Sequence, residues 1–162
     1  MNTKSLIKLW MALALSLTSL PGIAQNILTV RSVQDFEHSM TSLQSSIETH
    51  GYKVAHVQRC DSGLTGLGYE TDRYRVVFFG KHEEVRRLSA DFPELIPFLP
   101  LKIAVFAEGE QTIISSINPT SLGEFYADDR LRIQFKRWEN DLRSILTDMQ
   151  QGDTTAAAAG EE

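Results

Sequence analysis

Six large apolar side chains, Leu131, Phe135, Trp138, Leu142, Ile145 and Met149, follow one another at spacings of four, three, four, three and four. Residues three and four apart share one face of an α-helix, so this stripe can leave water only if the segment is helical and packs against an equally apolar surface. Asp128 and Asp129 precede the stripe and suit the positive end of a helix. A shorter stripe, Phe36, Met40, Leu43 and Ile47, has the same period. The S-x-x-D pattern of Ser32 and Asp35 predicts its N-cap at Ser32 with Asp35 in the first turn, and Gly51 suits its C-terminal end.

The surface these helices need is supplied by shorter apolar runs, at 26–31, 52–59, 73–80, 101–107 and 111–118, which read as strands. In the third, Val76, Val77, Phe78 and Phe79 point to both faces, which predicts a central place in the sheet. The last two read as a hairpin around a three-residue loop, Glu108-Gly109-Glu110. Residues 82–90 suit a short helix. Pro93, Pro97 and Pro100 exclude a regular helix or an interior strand over 92–100. Residues 61–68 carry Gly63, Gly66 and Gly68 and read as a flexible loop between strands. The glycine spacing is not that of a phosphate cradle, which also needs a helix next, whereas a strand follows. The order of elements predicts an α+β fold: an antiparallel-rich sheet of four to five strands with two main helices packed on one face.

The N-terminus has a different character. Lys4 and Lys8 precede an apolar stretch from Leu9 to Leu20, and Pro21, Gly22, Ile23 and Ala24 end it. This is the pattern of a cleavable secretory signal over 1–24, cut between Ala24 and Gln25. The apolar run is shorter than the roughly 20 residues of a spanning helix, so no membrane anchor is expected after cleavage. Residues 25–150 then form a single domain. The tail 151–162 is small and polar and is expected to be disordered. The chain has 16 Lys and Arg against 21 Asp and Glu, and the signal holds two of the lysines and no acid. What remains has 14 basic and 21 acidic side chains, a net charge of −7, which argues against nucleic acid as a partner.

Catalytic patterns find no support. There is no G-x-S-x-G and no S-x-x-K with its companions. Glu83/Glu84 and Asp128/Asp129 read as solvated acids at helix starts rather than an acid/base pair. Among possible metal ligands, His56 and Cys60 would lie about 13 Å apart on a regular strand. His38 and His50 would point about 120° apart around their helix. His82 opens H-E-E-V-R-R, which is not H-E-x-x-H. No metal and no cofactor are expected. Cys60 is the only cysteine, so no intramolecular disulfide forms. It reads as a buried, inert residue at a strand end, with a reactive thiol as the alternative.

Four segments together resemble a known family. They are Gly51-Tyr52-x-Val54, the strand ending Phe78-Phe79-Gly80, the block from Phe98 to Val105 (F-L-P-L-K-I-A-V), and Asn118-Pro119. The chain resembles the prokaryotic domain-of-unknown-function 302 family from Thr29 to Ile145. It departs from the family pattern in following Gly80 with Lys81-His82 instead of Asn-Pro, and in having Ile117 where an aromatic often precedes the final Asn. The resemblance implies a compact α+β domain that pairs as a homodimer, and it carries over no catalytic residues.

Three readings follow. The first is a non-enzymatic ligand- or partner-binding domain in the periplasm, with His56, Arg59, Cys60, Tyr69 and Asn118 as the ligand-facing groups beside loops. The second is a redox or enzyme accessory of the cell envelope that depends on the Cys60 thiol. The third is a structural dimer that supports a larger envelope assembly.

Overall fold

The computed structural model describes residues 26–158 apart from residue 33, and side chains as far as residue 150. The signal segment, with the cut between Ala24 and Gln25, lies outside the described residues. The elements are β1 (Ile27–Ser32), α1 (Phe36–Thr49), β2 (Lys53–Arg59), α2 (Cys60–Gly66), β3 (Tyr74–Gly80), α3 (His82–Asp91), a 3-10 helix (Pro93–Phe98), β4 (Leu101–Glu108), β5 (Gln111–Ile117), a second 3-10 helix (Pro119–Glu124) and α4 (Asp129–Ala158). The strands form one five-stranded sheet in the order β1-β5-β4-β3-β2. Every neighbouring pair is antiparallel. The chain therefore starts at one edge of the sheet, crosses to the other through α1, and meanders back. This is the α+β architecture that the order of elements predicts.

The two apolar stripes meet over one face of the sheet. Leu131, Phe135, Trp138, Leu142, Ile145 and Met149 of α4 are all buried, as are Phe36, Met40, Leu43 and Ile47 of α1. They enclose Leu28, Val77, Phe79, Leu101, Ile103, Val105 and Ile114, the alternate residues of their strands that face the helices.

Local chemistry moves several boundaries. The N-cap of α1 is Asp35, not Ser32: its carboxylate accepts from the N–H groups of Glu37 (2.9 Å) and His38 (3.0 Å). Ser32 is the last, buried residue of β1. Gly51 ends α1 with φ +76°, where the Tyr52 N–H donates to Ile47 O (3.1 Å) and the Gly51 N–H to Glu48 O (2.9 Å). That crossed pair of bonds is the Schellman closure.

The segment expected to be a flexible loop is α2. It ends in the same closure, with Gly68 at φ +85°, Tyr69 N–H to Leu64 O (3.1 Å) and Gly68 N–H to Thr65 O (3.0 Å). At its start the Asp61 carboxylate accepts from the Ser62 N–H (2.8 Å), and the Thr65 hydroxyl donates back to Asp61 O (3.0 Å). The glycines that suggested a loop are a helix and its stop signal.

The β4–β5 hairpin has a two-residue loop, because Glu108 and Gln111 already pair. Gly109 alone has positive φ there, at +61°, the pattern of a turn with glycine first. β3 has neighbours on both sides, but the middle strand is β4. Only Val77 and Phe79 of β3 are buried; Val76 and Phe78 lie half-buried on the face without helices. The helical backbone of α4 continues to Ala158, eight residues past the end expected at 150, although Gly152, Asp153, Thr154 and Thr155 have low helix propensity and only the last three of the eight are alanine.

Gly80 closes β3 where the chain turns into α3. A Cβ there would lie 2.9 Å from Val85 Cγ2 and 3.5 Å from Pro100 Cβ. Gly80→Ala is therefore expected to destabilise the domain by about 1–3 kcal/mol through overpacking. Denaturant unfolding of the variant checks this, and an unchanged midpoint would contradict it.

Candidate functional site

Strands about 4.8 Å apart and helices about 10 Å across mean that two helices cover roughly four strands. In this sheet the strand left short of cover is β2. Its Val54 and Val57 face the helices yet stay half-buried, and Arg59 is exposed. Between β2 and the flank of α1 lies a cleft of about 510 Å³. Met40 and Val57 supply apolar wall, Thr41 and Gln44 supply hydrogen-bonding groups, and Arg59, Arg75 and Glu37 supply charge.

The charges are not equally engaged. Arg75 is largely buried and forms an ion pair with the buried Asp61 at the start of α2. Its guanidinium also lies over the Phe36 ring, 5.4 Å from the centroid, beside that of Arg73 at 4.9 Å. Arg73 reaches Glu37 on the cleft rim at 3.5 Å. Asp61 also feels the charge of Arg59, but its carboxylate is occupied by Arg75. Among the described residues no carboxylate forms an ion pair with Arg59. The cleft thus presents one uncommitted guanidinium beside an apolar wall and two hydrogen-bonding side chains, a combination suited to an anion that carries an apolar part.

Asp61 fixes this corner. The Arg75 guanidinium, and then the Ser62 N–H, hold its carboxyl below the ordinary value of 3.8. A depressed pKa stabilises the fold at and above the unfolded value, and that stability is lost as pH falls through the folded value. Asp61→Asn is expected to lower stability at neutral pH by about 1–3 kcal/mol, because Arg75 loses its anion in a largely buried setting. The difference from wild type should begin to shrink as pH falls to the unfolded value of about 3.8 and vanish only below the lower folded value, where the native carboxyl protonates as well. Unfolding curves at neutral and acid pH check the sign; a gap that widens in acid would contradict it.

A second polar cluster joins α3, α4 and the start of β2. Glu84 accepts from Trp138 Nε1 (2.9 Å) and pairs with Arg137. Arg137 also pairs with Asp141 (3.0 Å), which accepts from the Tyr52 hydroxyl (2.5 Å). Burial, then the Asp141 hydrogen bond, pushes the Tyr52 phenol up from its ordinary value. Lys81 Nζ lies 4.5 Å from the centre of the Tyr52 ring. Each of these groups has a partner within the fold, so the cluster ties α3, α4 and the start of β2 together.

The residues singled out from the sequence fall in different places. Arg59 lines the cleft. His56 is on the opposite, helix-free face, with Nε2 3.2 Å from Gln58 Oε1 and its ring 6.3 Å from that of Phe78. Cys60 is half-buried at the first position of α2, not enclosed, with Sγ 3.9 Å from Gln58 O. Tyr69 is 64% exposed beyond α2. Asn118 is buried at the far end of the sheet. Its side chain accepts from the Thr120 N–H (3.1 Å) as cap of the second 3-10 helix and donates to the buried Glu139 (3.1 Å). Arg59 lies in the row that runs through Arg75, Val105 and Ile114 to Val30, whereas Asn118 follows Ile117 beside the first residue of β1. The five residues therefore do not form one site. Asp61, Arg75, Thr41 and Gln44 escaped sequence reasoning. The usable signal was an Asp followed four residues later by Thr and then by Gly68, which is a short helix, not a loop.

Among the described residues no three His, Cys, Asp or Glu side chains gather as a metal site, and no helix is long and apolar enough to cross a membrane. A family model described as Domain of unknown function DUF302 matches residues 28–149. The crystal structure of an uncharacterized conserved protein DUF302 from Bacillus stearothermophilus is similar in fold, with a TM-score of 0.72 and 21% identity, covering 78% of this chain and 100% of that one. No curated protein matches the chain.

Proposed function

The chain belongs to the DUF302 family, and from that premise we propose that it is an exported, non-enzymatic binding domain of the cell envelope whose cleft between α1 and β2 takes a small anion with an apolar portion. The observation that carries this reading is Arg59: it lines the cleft, and no carboxylate of the described residues pairs with it. The other cleft groups suit recognition. Met40 and Val57 receive the apolar part, and Thr41 and Gln44 complete the hydrogen bonding of the anionic head. The signal-like segment before residue 25 supports export, and the acidic balance of the chain disfavours nucleic acid. Pairing as a homodimer, implied by the family resemblance, belongs to the same reading.

Titration with hexanoate, a carboxylate with a short apolar chain, tests it. Saturable amide shifts are expected at Thr41, Gln44, Val57 and Arg59, and Arg59→Ala should remove them. Cys60→Ser should leave them unchanged. Shifts elsewhere, or none, would contradict the reading. Loss of binding in Cys60→Ser alone would point to the thiol instead.

A further inference from the structure

The two edges of the sheet are built differently. β2, at one edge, has a register shift between Val54 and His56. A bulge of this kind spoils an edge for further pairing. β1, at the other edge, keeps unbroken register with β5 from Ile27 to Ser32. The Asn118 N–H donates to Asn26 O at 2.8 Å. Hydrogen-bonded pairs alternate along an antiparallel ladder, so Leu28, Val30 and Ser32 bond to β5, and the N–H and C=O groups of Ile27, Thr29 and Arg31 point to the outer edge. Among the described residues no strand pairs with that edge.

Beside it lies a groove of about 280 Å³ between β1 and α4. Leu28, Val30 and Leu146 give it an apolar floor, and Arg143 and Thr147 stand along its helical side. A strand added to β1 would place alternate side chains into this groove. Arg143 is 48% exposed, and its Nε and Nη2 both donate to Glu139 Oε1 (3.1 and 2.9 Å). A guanidinium has five N–H groups, so it can serve a second acceptor. A second copy of this chain paired edge to edge about Thr29 would bring the two Arg143 side chains toward each other, a like-charge arrangement. An acidic peptide meets the same charge favourably.

We propose that the outer edge of β1 binds an extended peptide as a sixth strand, with an apolar side chain in the groove and an acidic one at Arg143. This surface lies at the opposite edge of the sheet from the cleft and does not depend on the function proposed for it. The probe is the capped hexapeptide Thr-Glu-Thr-Val-Thr-Glu, whose Val and Glu side chains share one face of a strand, added to the purified protein in the form recovered from the cell. Saturable binding is expected, with shifted and slowed-exchange amides at Ile27, Thr29 and Arg31. Replacing both Glu by Lys in the peptide should weaken it. Thr29→Pro removes one outward N–H without breaking a backbone bond to β5, and proline is tolerated at such edge positions; it also loses the Thr29 Oγ1–Ser115 Oγ hydrogen bond (2.9 Å), which Thr29→Ala loses as well while keeping the N–H. Thr29→Pro is expected to bind at least about tenfold more weakly than Thr29→Ala while unfolding at nearly the same midpoint as that variant. If Thr29→Pro fails to fold, a peptide N-methylated at alternate residues gives the same readout on the native chain. Absence of saturable binding, equal binding to Thr29→Pro and Thr29→Ala, or a dimer in which these three amides are already protected before peptide is added would overturn the proposal; the last result would assign the edge to a second copy.

Discussion

Trp138→Ala is expected to destabilise the domain by about 3–5 kcal/mol, the upper range for truncating a buried aromatic. Trp138 is 1% exposed and lies 5.9 Å from the Phe135 ring, where α4 meets the sheet. Its loss opens a cavity there and also takes the indole N–H from Glu84, whose other oxygen pairs with Arg137. The effect reaches Tyr52 through Asp141, so α3, α4 and β2 loosen together. Domains of this size are stable by only about 5–15 kcal/mol, so the variant would stand near the limit of folding. Trp138→Phe separates the two contributions. It keeps most of the packing and removes the N–H, and is expected to cost about 1–3 kcal/mol. Urea unfolding with an unchanged slope measures both, and a cost below about 1 kcal/mol for the alanine variant would contradict this account of the core.

Arg59→Ala has its effect on binding, not on stability. A hydrogen bond to a charged group contributes about 1.5–3 kcal/mol, so affinity for a carboxylate in the cleft should fall by about 10- to 100-fold. Arg59 is exposed and has no ion pair among the described residues, so the unfolding free energy should move by no more than about 0.5 kcal/mol. Arg59→Lys should recover part of the affinity, because the charge returns without the planar fork that grips two oxygens at once. Calorimetric titration with hexanoate reads all three. An alanine variant that binds as tightly as wild type would remove Arg59 from the site.

The parts of the fold that were legible in the sequence are those fixed by period. The α4 stripe from Leu131 to Met149 has one burial solution, and the structure adopts it. The strands followed from short apolar runs, and the break at Pro93, Pro97 and Pro100 is occupied by a 3-10 helix with no regular α-helix. Boundaries were less legible where one residue could play two parts. Asp35 reads equally as a first-turn acid or as a cap, and only its bonds to Glu37 and His38 decide. The segment from Asp61 to Gly68 reads as a loop because of Gly63 and Gly66, while the determinants of its helix are partly distant: Arg75, on the next strand, holds Asp61.

The site was less legible than the fold for the same reason. Arg59 could be singled out as charged and near a turn. Its neighbours Thr41 and Gln44 belong to a helix 15 or more positions earlier in the chain, and nothing local links them. Asn118, singled out as a ligand-facing group beside a loop, is a buried cap bonded to Glu139 on α4. His56 and Arg59 are three apart on one strand, in unbroken register, so the alternation of β2 puts them on opposite faces of the sheet.

The most direct test of the binding reading is to purify the wild-type protein and Arg59→Ala from the cell envelope and compare native with denaturing mass spectra. An extra mass is expected on the native wild-type protein, that of a small anionic molecule with an apolar portion, lost on denaturation and absent from Arg59→Ala. A wild-type spectrum without added mass, or one whose added mass persists in Arg59→Ala, would contradict it.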